Sequence, residues 1–116
     1  MQRLADVLVA VVALEHMWFL VLEMFLWTGP IGRRTFRQSE EQARTTATLA
    51  ANQGLYNGFL AAGLIWGLIA GRRDVEIFFL ACVIVAGVFG ALTAKRSILF
   101  VQALPAALAL VAVWLS

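Results

Sequence analysis

The chain has 116 residues, of which 62% are hydrophobic and 14% are charged, and its formal net charge is +2. This composition is far too apolar for an ordinary soluble domain. The small positive excess favours anionic headgroups and gives no indication of nucleic-acid binding. The single cysteine, Cys82, excludes an intrachain disulfide and a cysteine-based metal site within one chain.

Apolar stretches of the length that crosses a bilayer, roughly 20 residues each, occupy most of the chain. We therefore predict an all-α polytopic membrane protein, a bundle of four transmembrane helices that forms a single domain over residues 1–116. The predicted helices cover about 4–27, 40–70, 75–93 and 97–115.

Local signals indicate where these helices begin, end and bend. Gly29 and Pro30 break the first helix, and a loop of sequence IGRRTFRQ follows them. Ser39 stands three residues before Gln42, the spacing of a capping box, so the second helix is expected to begin near Glu40. Pro105 falls inside the fourth helix and predicts a kink there.

The distribution of basic residues predicts the orientation of the bundle. The first and third loops, with the turn that follows the first loop, carry more basic residues than the opposite side. This bias places the first and third loops in the cytoplasm, and we expect an integral membrane protein of a bacterial inner membrane. The two compared sets are Arg33, Arg34, Arg37, Arg44, Lys95 and Arg96 against Arg3, Arg72 and Arg73.

Ionisable residues interrupt the first apolar segment. Glu15, His16 and Glu23 lie where lipid is expected, and a bare charge near the bilayer centre costs at least about 2.5–3.5 kcal/mol. They fall on one stripe of a helix, so that stripe is expected to face the interior of the bundle. The length and acidity of the segment are unlike a secretory signal peptide, and we expect it to be retained.

The second helix offers hydrogen-bonding partners for these groups. Counted from the first loop at 1.5 Å per residue, Glu23 and Gln53 both lie about 8–10 Å deep, whereas Glu15 and Asn57 both lie about 16–20 Å deep. Glycines four residues apart in the same stretch allow close helix approach. The predicted ligand-binding residues are Glu15, His16, Glu23, Asn52, Gln53, Tyr56 and Asn57.

Three interpretations of this polar constellation remain open. The residues form an interhelical hydrogen-bond network that only holds the bundle together, or they handle a proton or a cationic ligand, or they bind a metal. A single histidine argues against the metal site, so no metal is predicted. The sequence indicates no particular cofactor, and phosphate-binding glycine loops and nucleophile elbows are absent.

The same two stretches resemble a family of small microbial membrane proteins, domain-of-unknown-function 1304. The resemblance covers nearly the whole chain and is carried by the elements E-H, L-E-x-F-L-W and N-Q-G-x-Y-N-G. It implies that the predicted site residues, together with Trp27, are signature positions of the family. It implies no activity, because the family is defined without one.

Two further likenesses concern only the general outline of the chain, namely its number of helices and the position of a polar residue or motif. A four-helix chain with a glutamate midway along its first helix is similar to small multidrug transporters. The run from Asn52 to Asn57 is similar to a polar motif in the membrane-bound glutathione and eicosanoid enzymes. Neither likeness carries a catalytic residue over to this chain.

We therefore predict a protein that binds or transports a small or cationic ligand, with proton coupling, through a polar pocket between the first two predicted helices. The alternatives are a small membrane enzyme acting on a lipophilic substrate, with His16 or a glutamate as general base, and a structural or accessory subunit. The expected partners are the lipid bilayer, the ligand and further copies of the chain, because four short helices enclose little volume.

Overall fold

The computed structural model describes all residues from 1 to 116, and it contains helices without any β-strand. A π-helical segment, Leu99–Ala103, leads directly into the last α-helix. The α-helices are α1 (Gln2–Met24), α2 (Pro30–Phe36), α3 (Glu40–Ala70), α4 (Arg73–Thr93) and α5 (Leu104–Leu115).

The all-α prediction is confirmed, but the predicted count of four helices is not. Three helices, α1, α3 and α4, are long and apolar enough to cross a membrane by length and composition. The fourth predicted span corresponds to a shorter apolar helical run, Leu99–Leu115.

The additional helix is α2. It lies in the segment after Gly29 that was predicted to be a loop. Pro30 occupies its first turn, where the fixed φ of proline suits a helix and the missing N–H is not needed. The helix ends at Phe36, and the next residue, Arg37, adopts the left-handed conformation with a φ of 53°. Helix α1 already ends at Met24, three residues before the predicted end at residue 27, so Pro30 begins α2 but does not terminate α1.

The start of α3 confirms the predicted capping box. The backbone N–H of Gln42 donates to Oγ of Ser39 at 3.1 Å, and the backbone N–H of Ser39 donates to Oε1 of Gln42 at 3.0 Å. These reciprocal bonds satisfy two donors that the helix leaves free at its first turn. Glu40 and Glu41 add negative charge at the positive end of the helix dipole.

The chain divides into two compact units. One unit comprises 1–14 and 60–116, and the other comprises 15–59. The first unit has a core of small and branched side chains, and its alanines allow close packing of the helices. That core consists of Ala5, Val9, Val12, Ala13, Leu64, Leu80, Val83, Ala106, Ala109, Ala112 and Val113.

The last helical run has π-helical rather than α-helical geometry just before Pro105, where the sequence predicts a kink. Leu99–Ala103 form the π-helical segment, and the buried Ala103 lies against Gly87 of α4. A Cβ atom at Gly87 would come within 2.8 Å of the backbone nitrogen of Ala103, so only glycine allows this approach. π-Helical turns commonly relieve the irregularity that proline imposes on the hydrogen-bond ladder.

Candidate functional site

The polar contact between α1 and α3 is a hydrogen bond inside the unit formed by 15–59. Nδ2 of Asn57 donates to Oε1 of Glu23 at 2.5 Å, and both side chains are partly buried. The two helices place these groups because Glu23 lies in the last turn of α1 and Asn57 lies near the middle of α3. A carboxylate oxygen and an amide N–H are matched partners, so this bond lowers the cost of burying the acid.

Glycines on α3 allow that approach. A Cβ atom at Gly54 would lie 2.7 Å from Cγ of Met24 and 3.0 Å from Cβ of Glu23, and at Gly58 it would lie 2.6 Å from Cδ1 of Leu20. The backbone of α3 therefore packs directly on side chains of α1. Small residues at helix contacts permit this geometry in membrane proteins, as the four-residue spacing predicts.

The second acid of α1 has a different environment. Oε1 of Glu15 is buried and accepts no hydrogen bond, and Nδ1 of His16 lies 3.9 Å from it. The side chain of His16 is fully buried, and its ring contacts the edge of the Phe19 ring with centroids 5.1 Å apart. Glu15 therefore keeps acceptor capacity that the chain itself does not fill.

The structure brings together only some of the predicted site residues. Glu23 pairs with Asn57, whereas matched depths predicted Gln53 as its partner, so the observed pairing is one helical turn deeper on α3. Asn52, Gln53 and Tyr56 are exposed. The predicted site thus separates into two parts. Glu23 and Asn57 form a contact between α1 and α3, whereas the three exposed residues form an outward-facing group on α3.

Surface clefts occur elsewhere in the chain. One is lined by Trp66, Asp74, Val75, Phe78 and Phe79. A second is lined by Glu40, Glu41, Arg44 and Thr45. Neither cleft includes a residue of the predicted site, and the chain contains no group of three or more His, Cys, Asp or Glu side chains arranged to hold a metal.

A second polar cluster, which the sequence analysis did not identify, lies within the other unit. Nη1 of Arg73 donates to Oδ1 of Asp6 at 2.8 Å and to Oε1 of Glu76 at 2.7 Å, and Nη2 donates to the backbone carbonyl of Gln2 at 3.4 Å. Glu76 is 1% exposed, and its Oε2 accepts no hydrogen bond. The Arg-x-x-Glu spacing at the start of α4 is the signal that indicates this pair.

Comparison with known proteins gives the family. A family model described as "Protein of unknown function (DUF1304)" matches residues 10–114. The chain belongs to the DUF1304 family. This confirms the resemblance noted in the sequence.

One curated relative of this DUF1304 member is similar over nearly its whole length. The chain is 32% identical over 115 residues to "Uncharacterized protein YpaA" of Lactococcus lactis subsp. lactis (strain IL1403), and the match covers 96% of this chain and 97% of the relative. No solved structure matches significantly. Neither the family description nor the relative's name states an activity, so function has to be argued from the site.

Proposed function

We propose that this DUF1304 member is an integral membrane protein that binds the cationic group of a small ligand, or a proton, at the carboxyl groups of α1. The observation that supports it is Oε1 of Glu15, which is buried and accepts no hydrogen bond. A buried carboxylate oxygen that accepts no hydrogen bond is costly, and a cation or a proton removes that cost. The length and apolar composition of α1 support its placement in a bilayer.

The two carboxyl groups have different roles in this proposal. Glu23 is held by Asn57 and retains its second oxygen for a ligand. Glu15 lies eight residues earlier, about 12 Å along the axis of α1. At that separation one small cation contacts one carboxylate at a time, so the two acids form successive positions along the helix. This arrangement fits coupled binding or transport of protons and cations.

The enzyme alternative in which His16 is the general base receives less support from the structure. A general base has to lie within hydrogen-bonding reach of the group from which it takes a proton. His16 is fully buried and its ring packs on Phe19, so no lipophilic substrate reaches its nitrogens in this conformation. The accessory-subunit alternative predicts a different effect of substitutions: they would change stability and association without affecting the binding of any ligand.

The decisive experiment measures cation binding as a function of pH. Purified protein in lipid nanodiscs is titrated with tetraphenylphosphonium, a lipophilic cation, between about pH 5 and 9. Binding is expected to weaken as the solution is acidified, because a protonated carboxyl group no longer attracts the cation. Glu15→Gln is expected to weaken binding at the upper end of this range by at least about tenfold, which corresponds to about 1.4 kcal/mol.

Glu41→Gln is the matched control, because Glu41 is an exposed acid in the first turn of α3. It should bind the cation as the unchanged protein does. Equal binding by the Glu15→Gln variant would overturn the proposal. If the unchanged protein bound no cation and Glu15→Gln altered only the thermal stability, the result would favour the accessory role.

A further inference from the structure

One face of α3 presents polar side chains outward. Leu49, Asn52, Gln53, Tyr56 and Phe59 recur at three- and four-residue intervals and are all exposed; we call this set the amide stripe. The side chains of Asn52 and Gln53 form no hydrogen bond within the chain. Asn57, which bonds Glu23, is not part of the stripe.

The depth of the amide stripe makes this exposure informative. Trp27 bonds Thr46, and tryptophan typically lies at the membrane interface, so Gln53 is about 10 Å beyond that level. From the other end of α3, Ala70, the distance to Asn52 is about 27 Å, which lies within a hydrocarbon core of about 30 Å. Side-chain amides facing lipid at these levels have no water to satisfy them.

We propose that the amide stripe is an interface at which a second copy of this chain binds through α3. Asn and Gln side chains each contain donors and an acceptor, so a copy of the same stripe satisfies them. Copies inserted in the same orientation are related by an axis along the membrane normal, so residues at equal depth meet. The stripe carries no charged residue, and two copies therefore do not repel each other.

This proposal rests on the membrane insertion proposed above but does not depend on ligand binding. Interhelical hydrogen bonds between such side chains contribute about 0.6–2 kcal/mol each in membranes. Leu49 and Phe59 flank the amides, and the ring of Tyr56 lies 6.0 Å from the ring of Phe59. The stripe thus combines apolar packing at both ends with polar contacts in the middle.

Cysteine cross-linking in native membranes tests the interface. Cys82→Ala removes the single native thiol. Leu49→Cys or Phe59→Cys is then introduced singly, which leaves all the amides in place. Both are expected to give a disulfide-linked product of twice the chain mass on mild oxidation. Val85→Cys on α4, whose side chain is 68% exposed, is the matched control and should give none.

The amides are tested separately by Asn52→Leu with Gln53→Leu in the Phe59→Cys chain. At an expression level too low to saturate the dimer, the cross-linked fraction should decrease. The decrease should match an association constant about tenfold smaller. Resistance of every variant to carbonate extraction confirms insertion, so a missing cross-link cannot be attributed to a failure to enter the membrane. Equal cross-linking at Val85, none on the stripe, or a product with a protein of another mass would each overturn the proposal.

Discussion

Asn57 donates a hydrogen bond to the carboxylate of Glu23 across 34 positions of the chain. The bond joins the last turn of α1 to the middle of α3, and both partners are partly buried. Because each group satisfies the other, the effect of changing one depends on what remains of its partner.

Asn57→Leu is therefore expected to lower the free energy of unfolding by about 1–2 kcal/mol, since it leaves the Glu23 carboxylate buried without its donor. The double change Asn57→Leu with Glu23→Leu should recover most of that loss, because both polar groups are then absent. Thermal unfolding in mild detergent measures the three proteins. A double variant that is no more stable than Asn57→Leu would contradict the pairing.

The two glycines of α3 should differ in their tolerance of a methyl group. At Gly54 a Cβ atom meets Cβ of Glu23 at 3.0 Å and the backbone oxygen of Leu20 at 3.3 Å, neither of which moves easily. At Gly58 it meets only the side chain of Leu20, whose end is flexible. Alanine also gains up to about 1 kcal/mol of helix propensity over glycine.

We expect Gly54→Ala to be destabilising by about 1–2 kcal/mol and Gly58→Ala to be close to neutral. The measurement is the same unfolding series, with the two variants compared under identical detergent conditions. If Gly58→Ala proved the more damaging of the two, the packing of α3 on α1 described above would be wrong.

Adjacent arginines at the start of α4 provide a third comparison. Arg73 is 29% exposed and bonds the buried Glu76, whereas Arg72 pairs with the exposed Asp74 through contacts of 2.9 and 2.7 Å. Arg73→Ala should be destabilising by roughly 2–3 kcal/mol, somewhat below the value for a fully buried pair because Arg73 is partly solvated. Arg72→Ala should have little effect, since exposed ion pairs contribute little.

Combining Arg73→Ala with Glu76→Leu separates charge from packing. The second change removes the uncompensated carboxylate, and stability should return toward that of the unchanged protein. Chemical denaturation in detergent gives the three values. A double variant less stable than Arg73→Ala would show that Glu76 contributes through contacts other than Arg73.

A fourth prediction concerns the contact between Trp27, which lies between α1 and α2, and the early part of α3. Nε1 of Trp27 donates to Oγ1 of Thr46 at 3.0 Å, and the Trp27 ring also packs on Phe36 of α2. A double-mutant cycle of Trp27→Phe and Thr46→Val should give a coupling energy of about 0.5–1 kcal/mol. Thr45→Val, which removes a hydroxyl bonded only to its own helix backbone, should show no coupling with Trp27→Phe.

The helices could largely be predicted from the sequence, because the apolar stretches are long and their ends carry recognisable signals. The predicted range 40–70 is the observed α3, and the Ser39–Gln42 capping box explains its start. Helix α2 was missed because Pro30 was interpreted only as a breaker, although proline also begins helices. Its presence changes the path of the chain between α1 and α3.

The candidate site was harder to predict than the helices. Residue counts from the first loop paired Glu23 with Gln53, but they include no information on the rotation and tilt of one helix against the other. The observed partner is Asn57, one turn away, and Gln53 lies on an exposed face of the same helix. Glu76 was not predicted as a buried residue, because an acid in the first turn of a helix is common. Its burial depends on how the helices pack together, which the periodicity of the sequence does not describe.

The short final helix has a consequence for the surrounding lipid. The continuous helical run covers 97–115 and extends at most about 28 Å, whereas a typical hydrocarbon core is about 30 Å thick. In a bilayer, such a hydrophobic mismatch is relieved by local thinning of the membrane or by snorkelling of flanking residues. The neighbourhood of α5 would therefore be the thinnest part of the membrane around this protein, and shorter acyl chains would suit it best.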